Sequence, residues 1–262
     1  NARVLAGGQS LAPMLNMRVA LPDHLVDINR IGELQGVRIE AGQLVVGAMT
    51  RQRDLEFHDD VARLYPLLGE ALQHVGHRQT RNRGTIGGSL CHMDPAAELP
   101  CVAVACEAVI EIASGRGARS VGMDEFACGA MTTCLEADEI VTAISLPLWP
   151  EGHGYAFQEF ARRHGDFAMA CVAALMVVGE DGAISRCSVA LGGVCESPVR
   201  LRRVEEALLG QKGGEDLFAS VVDGLEGAEL LDDIHAPAAY RRRLAGVLMR
   251  RALHSAYERA AR

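Results

Sequence analysis

The sequence predicts an α+β protein in two domains, and three observations carry that reading. Two short glycine-rich loops, A-G-G-Q-S at residues 6–10 and N-R-G-T-I-G-G-S-L at residues 82–90, each combine paired glycines with a hydroxyl residue. Prolines and glycines then gather at Pro147, Pro150, Gly152 and Gly154, which marks a boundary near residue 150. Beyond it, three strand-like runs are followed by three helical patterns. The first domain is therefore expected over residues 1–150 and the second over residues 151–262.

The elements follow in order. Residues 1–5 read as a strand running straight into the first loop. The chain opens on that strand without a methionine, so an opening segment is expected to be missing ahead of it. Ser10 is placed to cap a short helix, with Pro13 tolerated near its start. Strand-like pieces at 25–28 and 44–48 are separated by a turn at residues 40–42. A helix is expected to start after Thr50, and a second helical segment covers 67–75, apolar at Leu68, Ala71, Leu72 and Val75. Residues 99–112 are strongly apolar and end strand-like, and 139–147 alternate as a strand closed by Pro147. In the second domain, 155–163, 168–178 and 183–191 read as strands, with Glu180-Asp181-Gly182 as a hairpin turn. Helical patterns follow at 199–209, 215–225 and 237–262. The last sets Leu244, Val247, Leu248, Ala252 and Leu253 against a run of arginines and reads as a solvated helix packed on the sheet.

Composition narrows the function. The 262 residues are 49% hydrophobic, enough for two modest cores. A formal net charge of −8 argues against a nucleic-acid partner. No apolar run is long enough to span a bilayer, and no signal-peptide pattern opens the chain. The 8 cysteines form no C-x-x-C pair, which disfavours zinc and a self-contained iron–sulfur cluster. They read as reduced, mostly buried thiols of a cytoplasmic protein. His74, His77, His92 and His164 read as loop or packing residues, and no nucleophile–histidine–acid set is evident.

The two loops carry the chemistry. Glycine lacks a Cβ, so its amide can approach a phosphate oxygen closely, and successive amides form an anion-binding nest. Two such loops can grip one diphosphate from two sides. Neither matches G-x-x-x-x-G-K-[ST] or G-x-G-x-x-G, so ordinary P-loop and Rossmann readings lose ground. Either loop alone reads as a tight strand-to-helix turn; the pair favours the diphosphate.

Six segments in a fixed order then identify a resemblance: A-G-G-Q-S-L at 6–11, L-V-D-I-N-R-I at 25–31, R-N-R-G-T-I-G-G-S-L at 81–90, D-P-A-A-E-L-P at 94–100, D-E-I-V-T-A-I-S-L-P at 138–147 and R-R-H-G-D-F-A at 162–168. Together they resemble the FAD-binding medium subunit of molybdenum hydroxylases, the flavoprotein of carbon monoxide and xanthine dehydrogenases, over essentially the whole chain. The resemblance implies an FAD-binding region of two subdomains, about 1–50 and 51–150, like that of vanillyl-alcohol oxidase (PCMH-type) and lacking the family's opening strand–helix unit, then a C-terminal domain with a three-stranded antiparallel sheet and helices. It implies that Ala6, Gly7, Gly8, Gln9, Ser10 and Leu11, with Thr85, Ile86, Gly87, Gly88 and Ser89, hold the FAD pyrophosphate, mainly through backbone amides. Asp94 and Glu98 would meet the sugar–adenine part, Ile140 the adenine, Val75 the flavin, and Asp166 with Phe167 would cover the isoalloxazine ring.

The resemblance also implies partners: a large molybdopterin subunit that oxidises the organic substrate and a small subunit with 2Fe–2S clusters, in a heterotrimer that can itself pair. FAD in this chain would pass electrons from those clusters to an external acceptor. Many relatives carry a lysine near the flavin where this chain has Gln158 and Glu159. The alternative is a free-standing FAD-dependent oxidase or reductase of the same fold, which would need its own substrate acid or base.

Overall fold

The computed structural model describes residues 1–222 and 229–261. Strand β1 (Ala2–Leu5) lies parallel to β2 (His24–Asp27), with the short helix α1 (Leu11–Asn16) between them in sequence. Ser10 does not act as the expected cap: it already has helical backbone angles, φ −104° and ψ −49°, and its side chain caps nothing. Strands β3 (Val37–Glu40) and β4 (Gln43–Gly47) form a hairpin. Its turn residues Ala41 and Gly42 take φ of 49° and 76°, the positive pair that a two-residue hairpin turn demands.

A helical stretch follows, comprising α2 (Gln52–Glu56), α3 (Asp59–Leu64), α4 (Pro66–Leu72), α5 (Arg78–Arg83), α6 (Ile86–His92) and α7 (Glu98–Ala105). Helix α4 begins on Pro66, where a missing N–H leaves nothing unsatisfied, and ends at Leu72 rather than Val75. The Tyr65 hydroxyl just before it donates to the Pro147 carbonyl. The apolar run that begins at Leu99 opens as α7, every residue of which is buried; Pro100 falls in its first turn, where no intrahelical bond is lost. The chain then forms β5 (Val109–Ser114), β6 (Gly117–Gly122), α8 (Met123–Phe126), the small pair β7 (Ala127–Gly129) and β8 (Thr132–Thr133), and β9 (Ile140–Pro147). Strand β9 inserts at the centre of an antiparallel sheet of order β3-β4-β9-β5-β6, where Val46 and Ile110 both face Ile144.

Strands β10 (Gly154–Phe160), β11 (Ala170–Val178) and β12 (Ile184–Gly192) make the expected three-stranded antiparallel sheet. A two-residue edge strand, β13 (Val199–Arg200), extends it. That pairing takes the first residues of the predicted helix, so α9 (Arg202–Leu208) starts later. Next come α10 (Glu215–Ser220) and the long α11 (Ala238–Ala260); the predicted run to Leu225 and the final Arg262 lie outside the described residues. Strand β11 is buried on both faces. Cys171, Ala173 and Leu175 join the core around α7, whereas Ala170, Val172, Ala174 and Met176 pack in the core under α11. The alternation explains why its sequence reads as one unbroken apolar run. This packing fixes the end of β10 and the start of β11, and with them the intervening loop, against the first domain's helices.

Candidate flavin-binding cleft

The first loop leaves β1 at Leu5 and meets the second loop directly. A Cβ on Gly7 would lie 2.8 Å from the Arg83 carbonyl carbon and 2.9 Å from Gly84 Cα, and closer still to the Arg83 oxygen. Only glycine permits that approach. The next residue, Gly8, takes φ +73°. A polar stitch secures the contact from behind: Asn29 Nδ2 donates to the Ala6 carbonyl (2.8 Å), Arg51 donates to Asn29 Oδ1 (2.7 Å), and its other nitrogen donates to the Arg83 carbonyl (2.5 Å). Neither Asn29 nor Arg51 stood out in the sequence, although Asn29 falls within the L-V-D-I-N-R-I segment.

The two loops present different chemistry. Among the described residues, the backbone N–H groups of Gly7, Gly8, Gln9 and Ser10 donate to no protein acceptor, which leaves four consecutive amides free. In the second loop most amides are already used. Ile86 N–H donates to Thr50 (3.2 Å), Gly87 N–H to Ala48 (2.9 Å), and Gly88 N–H to the Thr85 hydroxyl oxygen (3.1 Å), which caps α6. What remains there is the Thr85 N–H together with the Thr85 and Ser89 hydroxyls. The backbone cradle is therefore one-sided, and the expectation that both loops act mainly through amides needs that correction. Gly87 is required by the protein itself: a Cβ would stand 2.7 Å from Ala48 Cβ and from its carbonyl oxygen.

A continuous cleft of about 1360 Å³ opens from the two loops. That exceeds the roughly 300–1,000 Å³ of drug-sized ligand sites and suits an extended dinucleotide. Every predicted site residue except Ile86 lines it: Ala6 to Leu11, Val75, Thr85, Gly87 to Ser89, Asp94, Glu98, Ile140, Asp166 and Phe167. The Ile86 side chain turns into the core instead. The cleft also takes in residues that the sequence did not single out, among them Gln52, Thr133, Arg162, Asp233 and Arg241. Gln52 Oε1 is buried and has no partner among the described residues.

The second domain closes one side. A Cβ on Gly165, whose φ is +84°, would meet the His77 ring at 2.7 Å and the Gly76 carbonyl at 3.0 Å, so this loop rests on the segment that follows α4. It carries Phe167 into the cleft 73% exposed, an aromatic face with little protein against it.

Two buried acids lie near each other: Glu98 lines the cleft, and Glu159 sits close enough to feel its charge. Burial pushes the Glu98 carboxyl up to about 7, with the negative charge of Asp94 adding to the effect. Burial, reinforced by Glu98, pushes Glu159 up to about 8. Glu159 Oε2 finds no partner among the described residues, while its other oxygen lies 3.8 Å from His74 Nδ1. Burial and neighbouring His164 pull the His74 imidazole down, so this contact is not a firm ion pair near neutrality. Among the described residues, no helix is long and apolar enough to cross a membrane.

Comparison with known proteins agrees with this geometry. Residues 1–149 match the FAD binding domain in molybdopterin dehydrogenase, and residues 155–256 match the CO dehydrogenase flavoprotein C-terminal domain. Caffeine dehydrogenase subunit beta of Pseudomonas sp. (strain CBB1) is 41% identical over 98% of this chain and 87% of its own. The carbon monoxide dehydrogenase medium chain of Hydrogenophaga pseudoflava is 36% identical over 100% of this chain and 91% of its own. The crystal structure of quinoline 2-oxidoreductase from Pseudomonas putida 86 superposes with a TM-score of 0.95 at 36% identity, covering 100% of this chain and 91% of that one. With touching glycine loops, an amide-lined cleft and matches that span both halves, the chain belongs to the family of FAD-binding medium subunits of molybdenum hydroxylases.

Proposed function

We propose that this chain is the electron-transfer subunit of a heterotrimeric molybdenum hydroxylase. In that assembly a large molybdopterin subunit oxidises the organic substrate, a small subunit relays electrons through 2Fe–2S clusters, and this chain delivers them to an external acceptor. The observation that carries the reading is the contact of two glycine loops, distant in sequence, on one cleft with a run of free amides. FAD bound there would supply the redox chemistry, and the protein supplies position, electrostatics and shelter from water.

The residues present fit that cofactor. The amides of Gly7 to Ser10, the Thr85 N–H and the Ser89 hydroxyl would hold the diphosphate. Ala6 and Leu11 would flank it. Asp94 and Glu98 would serve the sugar–adenine part, and Ile140 the adenine. Val75 and the Asp166-Phe167 pair would contain the ring. A Glu98 carboxyl raised to about 7 is part protonated at neutral pH; its protonated form can donate to a cofactor oxygen and its ionised form accept from a hydroxyl. We place the FAD-binding unit at residues 1–150 and the C-terminal domain at 151–262.

Co-expression of the chain with the products of its neighbouring reading frames, followed by flavin, iron and molybdenum analysis, tests the proposal. The expected result is a yellow complex with one FAD per chain and co-eluting iron and molybdenum. A solitary yellow chain that turns over an organic substrate, or a colourless one, would overturn it.

A further inference from the structure

Phe167 is mostly exposed, so its own packing does not hold it in place; the backbone on either side does. That backbone converges on one buried cation. Arg241 in α11 is only 3% exposed, and one of its terminal nitrogens donates to the carbonyls of Met169 (2.9 Å) and Gly193 (2.6 Å). The other donates to both carboxylate oxygens of Asp233 (2.8 Å each). Asp233 Oδ1 in turn accepts the amides of His235 (2.8 Å) and Ala236 (3.0 Å).

Three segments of the cleft wall thus meet at one guanidinium: the stretch 166–169 that bears Phe167, the turn at Gly193, and the stretch 231–235. The first two also touch, since a Cβ on Gly193 would meet the Ala168 carbonyl at 3.0 Å. A planar fork with several fixed donors can serve two carbonyls and a carboxylate at once, which a lysine ammonium cannot reproduce in the same geometry. Hydrogen bonds from the Ala236 amide and Arg241 hold the Asp233 carboxyl down at about 2, so Asp233 faces the guanidinium as a carboxylate at neutral pH.

We propose that Arg241, fixed by Asp233, is a positioning residue that sets where Phe167 stands in the cleft and so tunes the bound flavin through Phe167. The inference rests on the reading of Phe167 as the ring's cover. It assigns control of the flavin environment to a helix far along the chain from both glycine loops.

The test uses the full FAD-loaded chain and reads the flavin's visible spectrum and midpoint potential in Arg241→Lys, Asp233→Asn, Phe167→Ala and the double variant Arg241→Lys/Phe167→Ala. Arg241→Lys and Asp233→Asn should keep FAD and shift both readouts in the direction that Phe167→Ala shifts them. In the Phe167→Ala background, Arg241→Lys should add nothing, because coupled residues are non-additive. An unchanged flavin in Arg241→Lys and Asp233→Asn, beside a shifted one in Phe167→Ala, would overturn the clamp while leaving the ring-cover reading intact. Additive shifts, or loss of FAD from both clamp variants, would make Arg241 a general structural residue and also overturn it. A silent Phe167→Ala would remove the reading of Phe167 and this inference with it.

Discussion

Gly7→Ala is the sharpest single perturbation of the cleft. The added methyl would lie 2.8 Å from the Arg83 carbonyl carbon and 2.9 Å from Gly84 Cα, against the usual minimum of about 3.4 Å for such contacts. Its neighbours are backbone on the opposite loop, so no side chain can rotate away. Relief requires the loops to part by roughly 1 Å, and overpacking of that kind costs about 1–3 kcal/mol. If the strain falls on the bound state, where the loops must close on one diphosphate, FAD affinity drops roughly 5- to 150-fold. Fluorescence titration of the apoprotein with FAD, paired with urea unfolding, separates a binding loss from general destabilisation. Gly69→Ala is the control: a Cβ there meets nothing within 4 Å inside α4, and it should leave FAD binding unchanged while stabilising the helix by about 0.5–1 kcal/mol. Wild-type FAD affinity in Gly7→Ala would show that loop contact does not set the diphosphate site.

Other expectations follow from the same geometry. Gly87→Val should destabilise the fold by about 1–3 kcal/mol as well as lose FAD, because its side chain would strike Ala48 rather than merely occupy ligand space; normal urea unfolding with FAD lost would point back to the ligand space alone. Arg51→Ala removes the link between Asn29 and the Arg83 carbonyl and should weaken FAD binding by about 1 kcal/mol, or about fivefold, with the circular dichroism spectrum unchanged; undiminished affinity would make the stitch incidental. Stability should also fall as pH rises. Folding raises Glu98 to about 7 and Glu159 to about 8 from an ordinary 4.5, so the native state keeps protons that the unfolded chain releases. Their contribution is complete below about 4.5 and is lost toward pH 8, by up to about 1.4 kcal/mol per pH unit for each proton. Glu159→Gln should flatten that slope in urea titrations of the apoprotein between about pH 5 and about pH 8.5, and an unaltered slope would refute it.

Much of the site was legible in the chain because its chemistry is local. Paired glycines announce close backbone approach, and the ordered segments around them locate the cleft residues from Ala6 to Phe167. Period-two patterns exposed β9 to β12, since one-sided or two-sided burial writes itself into alternating or continuous apolar runs. The exceptions are instructive. Ile86 sits inside the G-T-I-G-G motif yet faces the core, because the start of α6 rotates it away from the cleft. The helical form of α7 was hidden because a helix buried on every side has no polar face to reveal its period.

What the sequence determined by itself was therefore the inventory: two glycine loops, an aromatic near an acid, the strands and the family. Only the tertiary structure decided which amides are free. Ile86, Gly87 and Gly88 spend theirs on Thr50, Ala48 and Thr85, whereas Gly7 to Ser10 keep theirs, and no local pattern encodes that difference. The reason is physical. Whether a backbone donor is available depends on what another part of the chain brings within about 3 Å of it, and so do the burial that raises Glu98 and Glu159 and the carbonyls that converge on Arg241.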